Sequence, residues 1–235
     1  MNTASYAPVA VAEASPDVRA TFIRRTYGHL AAAIGVFALL EYIFLGMPAM
    51  QSFAITMVSG KSWLLVLGAF MVVGWIADRW ARSDTSPQLQ YLGLGLFVVA
   101  EAIIMLPLLF LASRIAGGEV ISQAAWITAL LVAGLTAVVF TTKKDFSFLR
   151  GVLVIGFFVA LGLIVASILI GFNLGLIFSG AMIVLASISI LYTTSNILHH
   201  YRPDQHVAAS LGLFASVALL FWYVLQVLLS FTGRN

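Results

Sequence analysis

Blocks of about twenty predominantly apolar residues, each closed by a polar or proline-containing break, recur seven times along this chain. Twenty residues at 1.5 Å per residue give the length a helix needs to cross the hydrocarbon of a bilayer. The blocks cover residues 28–46, 63–80, 89–112, 121–140, 149–170, 176–198 and 207–231. In hydrocarbon every backbone N–H and C=O must be paired within the protein, which leaves helices or closed barrels. Barrel strands show apolar and polar residues alternating over about ten positions, and these blocks do not alternate. The expected fold is an all-α integral membrane domain of seven spanning helices.

Charge supports this and excludes other classes. Only 9% of the 235 residues are charged, with a mean hydropathy of +1.06, against about 25% charged in a soluble domain. The net charge of +3 does not indicate nucleic acid, because that footprint needs Lys and Arg clustered on one exposed face, and here they are scattered between apolar blocks. With no cysteine there is no disulfide and no thiolate chemistry. Residues 1–21 are rich in Ala, Pro and Ser, without the basic start and apolar core of a signal peptide. They are expected to be a flexible tail ahead of a single transmembrane domain, residues 22–235. The lipid bilayer is the one partner composition implies.

Orientation follows from the basic residues, which collect on the cytoplasmic side. With seven spans and the N-terminus inside, that side holds Arg19, Arg24, Arg25, Arg79, Arg82, Lys143, Lys144, Arg150 and Arg202. The other side holds Lys61, Arg114 and Arg234, which completes the twelve. Losing one span would reverse every later loop and spoil this asymmetry. The expected placement is multi-pass, N-terminus in the cytoplasm.

Two carboxylates, Glu41 and Glu101, fall inside spans. A charge at mid-bilayer costs about 2.5–3.5 kcal/mol or more, so each needs a partner, a proton or a water-filled cavity. They are either an ion or proton pathway facing the bundle interior, or hydrogen-bonded glutamates that serve packing. Pro107 frees a carbonyl one turn back, close to Glu101. Asp78 and Arg82, four apart at the end of the second block, are spaced to pair as an interfacial anchor. Asp145 is placed to cap the fifth helix through its free N–H groups or to touch the loop of Arg202 as a cytoplasmic gate. His199, His200 and His206 flank a loop break without a carboxylate motif and read as a solvated interfacial cluster, so no metal and no cofactor is expected. No serine, histidine and acid share a depth suited to hydrolysis, so no catalytic residue is assigned and no enzyme is expected.

The stretch Thr141-Thr142-Lys143-Lys144-Asp145-Phe146-Ser147-Phe148-Leu149 resembles the junction of the fourth and fifth helices in the Bax inhibitor-1 family. Phe22-Ile23-Arg24-Arg25-Thr26-Tyr27 and Leu191-Tyr192-Thr193-Thr194-Ser195-Asn196-Ile197 resemble that family's lead into its first helix and the end of its sixth. The resemblance covers residue 22 onward and is nearest to a bacterial branch that includes a modulator of a membrane-bound AAA protease. It implies a bundle with the last helix central, and an inner-membrane location in bacteria. It also implies a pH-gated calcium leak closed by paired aspartates on the sixth and seventh helices. Those positions fall at Thr193 and Ser216 here, and neither titrates in that range. A cation (calcium or proton) leak or exchanger without the di-aspartate gate is one expectation. A non-conducting protein that modulates a membrane-bound AAA protease is the other.

Overall fold

Proline opens three of the helices, at Pro16, Pro48 and Pro87, where its missing N–H is not needed and its fixed φ favours the first turn. The computed structural model describes residues 10–84 and 86–232, and among them it contains helices and no strand. The helices are α1 (Pro16–Gly46), α2 (Pro48–Val58), α3 (Ser62–Ala81), α4 (Pro87–Ile115), α5 (Gly117–Thr142), α6 (Arg150–Ile170), α7 (Gly175–His199) and α8 (His206–Thr232). Seven of them, all but α2, are long and apolar enough to cross a membrane. The seven blocks therefore correspond to α1 and α3–α8. The eleven-residue α2 spans about 16 Å at 1.5 Å per residue and lies in the first connection against α1, α3 and α4.

The interior is apolar, as in a soluble protein, and the outer surface is apolar as well. Large apolar side chains such as Leu65, Leu130, Phe158 and Ile177 are exposed on the outside of the bundle, where hydrocarbon surrounds them. The expected central last helix is present: α8 packs against α1, α3, α4, α5 and α7. It shares the centre with α4, whose apolar stretch is the most buried in the molecule. Each is apolar nearly all round, as a helix enclosed by others requires. By contrast α6 packs closely only against α7 and the short turn before it.

Close packing in hydrocarbon relies on small residues that let backbones approach. Gly93 lies so near α3 that a Cβ there would sit 2.5 Å from the Ala77 carbonyl oxygen and 2.6 Å from the Ala81 nitrogen. The α7–α8 hairpin is joined by hydroxyls and small residues, with Ser189 Oγ 2.8 Å from Ser216 Oγ and Ser179 Oγ donating to Gln226 Oε1 at 3.1 Å.

The tail differs from expectation where it is described. Residues 1–9 lie outside the described residues, but 10–21 are folded onto the bundle. Val11–Glu13 forms one 3-10 turn, the Val11 side chain is fully buried, and its N–H donates to the Tyr201 carbonyl at 2.9 Å. Helix α1 then starts at Pro16, twelve residues ahead of its apolar block. Ser15-Pro16-Asp17 carries the signals of a helix N-terminus, and the absence of an apolar run hid them.

Candidate functional site

Helix α4 carries Glu101 as the fifteenth of its 29 residues, at mid-span. Because α4 is enclosed by other helices, the side chain cannot reach lipid or bulk water directly and is 7% exposed. That exposure is to a cavity of about 1180 Å³ between α3 and α4 on one side and α6 and α7 on the other, with α8 as its floor. The cavity begins among Trp63 at the start of α3, Ile115 at the end of α4, the Gly171–Gly175 turn and Ser230 near the end of α8, all at one end of the bundle. It descends to Phe97, Glu101 and Ser189. From Ile115 to Glu101 is about 21 Å along the helix. Among the lining residues Glu101 is the one charged side chain.

Glu41 occupies α1, which packs directly on α4. It is 5% exposed, and neither carboxylate oxygen has a hydrogen-bond partner. It does not line the cavity, and it lies on a helix packed against the one that carries Glu101. The fold thus places the two intramembrane acids on neighbouring helices, with Glu101 facing the cavity and Glu41 outside its lining. Pro107 lies inside α4, which continues as one helix through it.

The two positions that correspond to gating aspartates are both buried, Thr193 in α7 and Ser216 in α8. They are not paired with each other. Ser216 shares its hydrogen bond with Ser189, one turn before Thr193, and also donates to the Gly212 carbonyl at 3.0 Å. Thr193 instead places its methyl group against Gly212. This hydroxyl contact is uncharged at any physiological pH, since serine and threonine do not titrate there. Sequence reading singled out Ser216 but missed Ser189, because the register of two antiparallel helices is a packing property.

The opposite end of the bundle is tied shut by polar contacts around the α7–α8 connection. Asp145 Oδ1 accepts from the Ser147 N–H at 2.8 Å, at the turn that leads into α6, while Oδ2 lies 3.0 Å from His200 Nε2. Asp145 thus holds the turn ahead of α6 and meets the α7–α8 connection, but it does not cap the helix, which starts at Arg150 behind Leu149 with no side-chain cap. Ser195 Oγ accepts from the Phe146 N–H at 2.8 Å and holds the same junction. Arg202 bridges Asp84, in the α3–α4 connection, and Asp204. Asp78 and Arg82 pair at 2.8 Å, both side chains more than 40% exposed, and the Arg82 guanidinium lies over the Tyr201 ring. The Ser147 N–H bond holds the Asp145 carboxyl below its usual range, and the Arg202 bond does the same for Asp204. Burial pushes the Tyr201 phenol up. Of the histidines in question, only His206 finds an imidazole on another helix, His29 in α1, ring centres 5.1 Å apart. That contact had no sequence signal, since 177 residues separate the two. Among the described residues no three His, Cys, Asp or Glu side chains are grouped to hold a metal ion.

Residues 19–233 match the family model described as inhibitor of apoptosis-promoting Bax1. The chain is 31% identical to an uncharacterized protein of Pseudomonas aeruginosa over 206 residues, 87% of each chain. It is also 31% identical to Bax inhibitor 1 of Schizosaccharomyces pombe over 225 residues, 93% of this chain and 79% of that one. Over 119 residues, 50% of this chain and 53% of the other, it is 37% identical to the modulator of FtsH protease YccA of Escherichia coli.

Proposed function

The chain belongs to the Bax inhibitor-1 family of membrane proteins, and on that footing we propose that it binds and passes cations at a Glu101–Glu41 site reached through the cavity. The observation that carries this reading is Glu101 itself, the single charged side chain in a cavity that runs from one end of the bundle to mid-span. Two acids with no basic partner among the described residues place negative charge where charge is costly, and a proton or a cation neutralises it. The hydroxyls of Ser189 and Ser216 cannot supply the family's di-aspartate gate, so any control of flux at this site falls to Glu101 and Glu41. The reading places the protein in a bacterial inner membrane with its N-terminus in the cytoplasm.

We read the protein as non-enzymatic. Asp145 lies between His200 and Ser195, so the acid separates imidazole from hydroxyl, where nucleophile activation needs base and hydroxyl in contact.

Similarity to the Escherichia coli protease modulator supports a second reading, that the chain modulates a membrane-bound AAA protease without conducting. Flux in liposomes separates the two. The conduction reading expects calcium or proton flux that Glu101→Gln lowers at least tenfold, with Glu41→Gln lowering it less. No flux of calcium, potassium or protons at any pH from 5 to 8 would overturn conduction and leave the protease reading standing.

A further inference from the structure

The cavity is far larger than a proton or a metal ion requires. At about 1180 Å³ it exceeds the 300–1,000 Å³ of ordinary small-molecule pockets, and its wall is mostly hydrocarbon. Trp63 and Trp222 stack there with ring centres 6.1 Å apart, and Phe97, Phe157 and Tyr223 add further aromatic surface. None of the lining residues is Lys, Arg or His, and the one acid among them is Glu101 at mid-span, itself more than nine-tenths buried. Because α6 packs closely only on α7, the side between α3 and α6 is not sealed by helix contact, and an amphiphile can enter from the bilayer.

We propose that this cavity binds apolar organic cations, with the charge held at Glu101 and the hydrocarbon body against the aromatic wall. The charge pattern decides the sign. A carboxylate in an apolar enclosure attracts a cation and repels an anion of equal size, and aromatic faces add attraction for cations alone. A delocalised organic cation is weakly hydrated, so it gives up little water on entering an apolar enclosure. The proposal names a ligand class for the site described above and rests on Glu101 being its cation-binding group.

The test titrates the purified full chain in lipid nanodiscs with tetraphenylphosphonium, read by tryptophan fluorescence and by calorimetry, with empty nanodiscs subtracted. Tetraphenylborate, of the same shape and opposite charge, is titrated in parallel. The expected result is saturable binding of the phosphonium, at least tenfold weaker binding of the borate, and at least tenfold loss of phosphonium affinity in Glu101→Gln. Glu119→Gln, at the exposed start of α5, keeps wild-type affinity and removes general surface charge as the cause. Equal binding of both ions, or phosphonium binding unchanged by Glu101→Gln, would mark a groove filled by lipid chains and overturn the proposal. Binding without inorganic flux would overturn the conduction reading and keep this one, and flux without phosphonium binding would do the reverse.

Discussion

Asp145 joins three parts of the molecule outside the spans. It accepts from the Ser147 N–H, meets His200, and lies within 3.4 Å of Ser195 Oγ, so one carboxylate links the α5–α6 junction to α7 and its following loop. Its carboxyl is held below the usual range, chiefly by the Ser147 bond, and that fixes the sign of its pH dependence. A depressed carboxylate contributes stability that is complete above the unfolded value, near 3.9, and lost as pH falls through the folded value. Since the side chain is 44% exposed, solvent screening keeps its weight low. Asp145→Ala removes a turn hydrogen bond worth about 1 kcal/mol. Thermal unfolding in detergent should show the variant melting below wild type at pH 7, with the two converging in acid as pH falls through the lowered folded value. A gap that persists in acid would show that the carboxylate's charge is not what stabilises the junction. The window lies well under pH 5, so Asp145 supplies no pH gate near neutrality through its own titration.

At the scale of the element, helix contacts depend on which positions are small. Gly93 is the narrowest point between α3 and α4, and a methyl group there would meet backbone atoms of α3, which cannot swing aside as a flexible side chain can. Gly93→Ala should cost about 1–3 kcal/mol through overpacking, read as a lower unfolding midpoint. Gly95→Ala, two residues on with nothing within 4 Å of its added Cβ, should be neutral or slightly stabilising, because alanine favours helix over glycine. Equal effects at the two positions would refute close packing as the reason. The same contrast explains what could be read beforehand. Span number was legible because apolar length is a property of the sequence by itself. The eleven residues of α2 fall short of that length, and after Pro48 they read only as a break. The pairing of Ser216 with Ser189 rather than Thr193 depends on how α7 and α8 are set against each other, which no single helix encodes. Glu101 was visible as an acid in an apolar block, but its cavity is assembled from five helices, and none of them shows it alone.

At the scale of the whole molecule, the two ends of the bundle are built differently. One end gathers the start of α1 and the α3–α4, α5–α6 and α7–α8 connections. There Val11 bonds to Tyr201, Arg202 to Asp84, and Asp145 to His200. The other end holds α2, the Gly171–Gly175 turn and the mouth of the cavity. The tied end carries nine of the twelve basic residues, for which the positive-inside rule predicts the cytoplasmic side. On that proposed orientation the cavity would open away from the cytoplasm, with the ties on the far side of Glu101. The cysteine-free sequence allows a direct test. Lys61→Cys and Lys144→Cys, both at exposed positions, place one thiol at each end. A membrane-impermeant maleimide applied to intact cells should label Lys61→Cys and spare Lys144→Cys, with the pattern reversed in inside-out vesicles. Labelling of Lys144→Cys in intact cells would invert the protein and make the cavity a cytoplasmic one. Its ligands would then arrive from within the cell, and the tied end would close it to the outside.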